Sequence, residues 1–71
     1  MLSSIEAERA RNRLTKEELS SKLGISVKTY YNWVYEETDV PSSALITMSK
    51  MFGKGIDYLL EGAKGYGDYG T

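Results

Sequence analysis

The chain has no cysteine and no histidine. These absences remove thiolate nucleophiles, disulfide cross-links, the commonest zinc ligands and the side chain that most often moves protons near neutral pH. Proline, tryptophan and phenylalanine occur once each, and no run of 18 apolar residues exists, so neither collagen-like repetition nor a membrane-spanning helix is expected. The opening Met1-Leu2-Ser3-Ser4-Ile5-Glu6 lacks the basic head and apolar stretch of a secretory signal, and a cytoplasmic protein is expected. A positive excess is missing as well: nine Lys and Arg stand against ten Asp and Glu, a net charge of −1. The sum alone therefore does not announce a phosphate-binding chain.

What is present fits one small domain. The 71 residues are 41% hydrophobic and 27% charged, close to the globular average, which argues against wholesale disorder. So short a chain has little apolar area to spare for a deep enzyme pocket. The acid pairs Glu17-Glu18 and Glu36-Glu37 are adjacent in sequence, so on a helix they point apart and do not form a general acid–base pair. Gly53 and Gly55 precede a helical segment, but no strand leads into them and no P-loop lysine and serine follow. The expectation is a protein that is not an enzyme, with no cofactor and no metal. Charge is unevenly distributed: residues 1–33 carry net +2 and residues 34–71 net −3, so a nucleic-acid surface would belong to the first half.

Apolar residues recur at intervals of three and four, which predicts an all-α chain of five helices. The first is expected from Ser3 or Ser4 to about Arg13, with Ser3 and Glu6 at capping-box spacing. Thr15 and Glu18 repeat that spacing at the start of a second helix, Lys16 to Leu23, which Gly24 stops. Ser26 caps a third, Val27 to about Glu36, and Val40-Pro41 closes the loop after it. Ser42 or Ser43 caps a fourth helix with a stripe of Leu45, Met48, Met51 and Phe52, ended by Gly53; Ile56 to Glu61 forms a short fifth. This places a compact domain in residues 1–62 and a flexible glycine- and tyrosine-rich tail in residues 63–71.

The informative unit runs from Thr15 to Tyr35: a capped helix, a glycine joint and a second capped helix. That is the spacing of a helix-turn-helix, in which the first helix braces across the DNA backbone and the second enters the major groove. Leu14-Thr15 with Glu18-Leu19, the turn Leu23-Gly24-Ile25-Ser26, the buried pair Tyr30 and Trp33, the loop proline Pro41, and Leu45, Met48, Phe52, Ile56, Leu59 and Leu60 extend the pattern over residues 2–61. In these motifs the chain resembles the phage repressor and Cro family, which implies a five-helix, lambda repressor-like domain. Three positions depart from that pattern. Lys16 stands where relatives often have glutamine. Val34 stands where an acid often pairs with the helix-one arginine, so Arg9 is expected to find Glu36, Glu37 or solvent. The loop Glu36-Glu37-Thr38-Asp39 is acidic where basic residues often meet phosphate, and it would repel a nearby strand.

Carried over position by position, the resemblance makes Val27, Lys28, Tyr31 and Asn32 the candidate base readers. Asparagine can pair with adenine, lysine can donate to guanine, and valine can meet a thymine methyl. Lys16, Ser26, Thr29, Arg11 and Arg13 are the candidate phosphate contacts. The implied function is a sequence-specific regulator of transcription that binds double-stranded DNA at a palindromic operator as a homodimer and occludes a promoter. Tyr58, Leu60, Tyr66 and Tyr69 are the candidate dimer surface. A rival reading keeps the fold but binds a protein partner, as an antirepressor would. The acidic loop and the tyrosines of the third helix support it, since tyrosine and tryptophan are favoured interface anchors.

Overall fold

A computed structural model describes residues 1–63, whose helices are α1 (Ser3–Arg11), α2 (Lys16–Leu23), α3 (Val27–Val34), α4 (Ser42–Phe52) and α5 (Ile56–Leu59). The described residues contain no strand, and the fold is the all-α, five-helix, lambda repressor-like arrangement expected from the sequence. Among them no helix is long and apolar enough to cross a membrane.

The caps of α2 and α3 form as their sequences direct. The Glu18 amide donates to Thr15 Oγ1 at 3.0 Å, and the Thr15 amide donates to Glu18 Oε1 at 2.8 Å, so both halves of the capping box are made. Gly24 ends α2 at φ 70°, a left-handed conformation that costs a residue with a Cβ roughly 1–2 kcal/mol. The Thr29 amide then donates to Ser26 Oγ at 3.1 Å and starts α3.

Other helix ends differ from expectation. The Ser3–Glu6 capping box does not form: Leu2 occupies the cap position without a side-chain hydrogen bond, and the Glu6 carboxylate is taken by Arg9 and Tyr30 instead. Helix α1 stops at Arg11 rather than Arg13, because Arg13 adopts φ 57° and the Leu14 amide returns to the Arg9 carbonyl at 3.1 Å. Helix α3 stops at Val34 rather than Glu36 in the same manner, with Glu36 at φ 62° and the Glu37 amide donating to the Asn32 carbonyl at 2.8 Å. Neither stop has a glycine to announce it. Pro41, not Ser42 or Ser43, caps α4, with no side-chain hydrogen bond. Helix α5 ends at Leu59 rather than Glu61, because Leu60 and Glu61 form a turn.

One core joins all five helices: Leu2 and Ile5, Leu19, Tyr30 and Val34, Leu45, Met48 and Phe52, and Leu59. Trp33 is also buried, while Met51 of the predicted α4 stripe is only half-buried at the edge of the core. The segment before α1 is fixed by backbone as well as by packing. The Leu2 amide donates to the Val34 carbonyl at 2.8 Å, so the start of the chain lies against the end of α3. Gly62 closes over the same corner at φ 88°, where a Cβ would stand 2.7 Å from the Met1 carbonyl oxygen. Helix α3 is thus held from behind by α1 and α2, and its other face is left outward.

Candidate nucleic-acid interface

The outward residues of α3 include Lys28, exposed, Tyr31, 38% exposed, and the half-buried Val27, Thr29 and Asn32. Val27, Lys28, Tyr31 and Asn32 occupy positions i, i+1, i+4 and i+5, which fall on one side of a helix. Behind them Tyr30 and Val34 enter the core at 1% and 2% exposure and lock the rotation of α3 about its axis. The aromatic residues of this short helix therefore divide by register: Tyr30 and Trp33 pack, and Tyr31 faces out.

Lys16 joins this face from α2. The capping box sets it as the first residue of the helix, and its ammonium lies 5.7 Å from the centre of the Tyr31 ring. That distance is within cation–π range, so the start of α2 and the middle of α3 meet in one surface with a lysine ammonium over an aromatic ring. Tyr31 also stacks on Tyr35, with ring centres 6.1 Å apart and planes at 16°. Ser26 and Thr29 are bound to each other at the α3 N-terminus, the Ser26 hydroxyl donating to Thr29 Oγ1 at 3.0 Å. The two sequence-predicted phosphate contacts at this end form one hydroxyl pair.

Arg11 and Arg13 occupy different settings. Arg11 donates toward Glu8 Oε2 at 3.1 Å, and the same oxygen accepts from the Tyr58 hydroxyl at 2.9 Å, which sets Arg11 beside the α1–α5 contact. Arg13 is exposed on the left-handed turn that ends α1. Of the candidate dimer residues, Tyr58 and Leu60 are half-buried against the core, and the Tyr58 hydroxyl is engaged by Glu8. Tyr66 and Tyr69 lie outside the described residues.

Arg9 does not turn to Glu36, Glu37 or solvent as the sequence led us to expect. It forks onto Glu6 at 3.0 and 3.2 Å and donates to the Leu14 carbonyl at 2.6 Å, closing the α1–α2 link from within. The Tyr30 hydroxyl donates to the same carboxylate. Burial opposes ionisation of Glu6, but the hydrogen bonds from Arg9 and Tyr30 and the nearby Lys16 charge outweigh it and hold the carboxyl below the usual range. Tyr30 is shifted well upward, by burial first and then by its bond to Glu6. The acidic loop is also altered by the fold. Glu36 is half-buried and accepts from the Met1 ammonium at 2.7 Å, which leaves Glu37 and Asp39 as the fully exposed acids of that loop.

With a capped brace helix, a left-handed glycine joint and an outward recognition helix in place, the architecture can be compared with known proteins. A family model for helix-turn-helix proteins matches residues 5–59. The chain belongs to the helix-turn-helix family. No curated protein and no solved structure matches it. In this helix-turn-helix protein the paired helices are α2–α3, and Lys16, Val27, Lys28, Tyr31 and Asn32 stand on their outward side. Sequence reasoning missed two things here: the pairing of Lys16 with Tyr31, which crosses two helices and leaves no local signal, and the stacking of Tyr35 on Tyr31, whose i, i+4 spacing was the available clue.

Proposed function

We propose that this protein is a sequence-specific, double-stranded-DNA-binding regulator of transcription, of phage or prophage repressor and Cro type. In this reading α3 enters the major groove. Asn32 pairs with an adenine edge, Lys28 donates to guanine, Val27 meets a thymine methyl, and Tyr31 lies along the base edges or sugar. Lys16 and the Ser26–Thr29 hydroxyl pair meet phosphates and fix the register. The observation that carries the reading is the common outward face shared by Lys16 and Tyr31 within a helix-turn-helix.

One module buries too little DNA for tight specific binding, so the protein acts as a homodimer on a palindromic operator, its two α3 helices about one helical turn, roughly 34 Å, apart. Tyr58 and Leu60 supply the described part of the dimer surface, and Tyr66 and Tyr69 belong to the same proposal. Promoter occlusion is the simplest mechanism for such a small binder. The protein is not an enzyme in this reading.

Fluorescence anisotropy with DNA from beside the protein's own gene, a scrambled duplex as control and two salt concentrations tests the proposal. Saturable binding that prefers the native duplex and weakens with salt supports it. Absence of binding at low salt by folded protein favours the rival, a protein-interaction module whose docking surface is the exposed Tyr31–Tyr35 stack.

A further inference from the structure

Lys16, Tyr31 and Tyr35 form a ladder across the outward face of the helix-turn-helix. The Lys16 ammonium is 5.7 Å from the Tyr31 ring centre, and the Tyr35 ring lies 6.1 Å from the same centre and nearly parallel to it. Tyr30 meets Tyr31 edge-on, with centres 6.4 Å apart and planes at 61°. A surface lysine ordinarily samples many rotamers, and ordering such a side chain on binding costs affinity; Lys16 is half-buried and already partly confined. Here the flat ring of Tyr31 offers the ammonium a preferred seat, and two neighbouring rings restrict how that ring can turn. Tyr30 is anchored in the core, at 1% exposure. Tyr35 is 55% exposed at the C-cap of α3 and contributes nothing to the core. Its stacking on Tyr31 is the interaction left to explain.

We infer that Tyr35 is a positioning residue: by stacking on Tyr31 it holds the ring that seats the Lys16 ammonium, and so pre-orders that ammonium for a DNA phosphate. This rests on the DNA-binding reading above. Tyr35 acts through its ring, and the phenol hydroxyl has no part in it. Tyr31 therefore has a structural duty in addition to any contact with DNA. The Lys16 charge also acts on the Glu6 carboxylate and favours its ionised form.

Two measurements test the inference, one of them without DNA. In the free protein, the Lys16 ε-methylene protons are expected to show an upfield ring-current shift by NMR. The shift should vanish in Tyr31→Ala, fall by at least half in Tyr35→Ala and persist in Tyr35→Phe. In DNA titrations, Tyr35→Ala is expected to lower affinity about threefold at low salt, in line with an exposed cation–π contact, and to flatten the salt dependence by less than one phosphate equivalent. Tyr35→Phe should bind as the parent does, and Tyr35→Ala should have no further effect in a Lys16→Ala background. A Lys16 shift unchanged in Tyr35→Ala overturns the ladder, whether or not the protein binds DNA. An affinity loss that persists in the Lys16→Ala background means that Tyr35 acts by a route other than the Lys16 ammonium, through Tyr31 or on DNA directly, and overturns the positioning of Lys16. If the parent protein binds no DNA while the NMR pattern holds, the DNA-binding reading fails, and the positioning role with it.

Discussion

Tyr30 carries two duties in one side chain, since its ring fills the core at 1% exposure and its hydroxyl donates to the Glu6 carboxylate that Arg9 also clamps. Tyr30→Phe keeps the packing and removes only that donor. Because Glu6 is partly exposed and retains Arg9, the expected cost is about 1.5 kcal/mol, the lower end for a hydrogen bond to a charged group. In a domain of this size, where 1 kcal/mol shifts Tm by about 4–8 °C, the expected fall is about 6–12 °C, read from thermal unfolding by circular dichroism. Glu6 also sets an acid dependence. Its folded-state carboxyl titrates below the usual value of 4.5, so on acidification the unfolded chain takes up the proton first and stability is lost as pH falls from about 4.5 through the folded value. The Tm should be level above about pH 6 and decline below pH 4.5, and Glu6→Gln should flatten part of that decline. Glu18 has the same sign, held low first by the Thr15 amide and then by its hydroxyl, so some acid loss should survive in Glu6→Gln.

At the scale of elements, α2 and α3 depend on their ends more than on their lengths, since eight residues form only two turns and so short a helix is marginal by itself. Thr15→Ala removes the oxygen that accepts from the Glu18 amide and is expected to cost about 1 kcal/mol. Gly24→Ala meets no neighbour within 4 Å, so its cost is the left-handed backbone alone, about 1–2 kcal/mol, with no change in the native fold. Urea unfolding of both variants would check these values; a Gly24→Ala variant as stable as the parent would remove the conformational argument for the joint. These two ends were legible in the sequence because Thr-x-x-Glu and glycine are local signals. The ends of α1 and α3 were not, because Arg13 and Glu36 adopt positive φ without any residue type that favours it. Their turns are held by bonds that helical periodicity does not announce: the Arg9 side chain on the Leu14 carbonyl five residues on in one case, and the distant Leu2 amide on the Val34 carbonyl beside Glu36 in the other.

For the molecule as a whole, the proposed regulator has separable predictions on DNA. Asn32→Ala should relax preference at one base position, costing about 1–3 kcal/mol on the best site and little on others. Lys16→Ala should weaken binding to every sequence and reduce the salt slope by about one. Competition titrations against single-base variants of the site distinguish the two; the same loss across all duplexes for Asn32→Ala would remove it from base reading. Homodimerisation is checked by sedimentation velocity with and without operator DNA, the expected outcome being two chains per palindromic duplex.

The helical character of the chain, the helix-turn-helix spacing, the caps of α2 and α3 and the assignment of Tyr30 and Trp33 to the core and Tyr31 to the surface followed from residue order. Each depends on interactions within about four residues or on helical periodicity. Glu6 lies three residues before Arg9 on the same helix, so that pairing had a local signal which the reading of the sequence passed over. The partners of Glu36 and Lys16 had none: long charged side chains reach several neighbours, and only the packing of distant segments brings the Met1 ammonium to Glu36 and the Tyr31 ring to Lys16. Local sequence sets which helices form and which faces turn inward. The tertiary structure selects among the charge and ring pairings on the outward face, because those depend on distances between elements that no short stretch of sequence records.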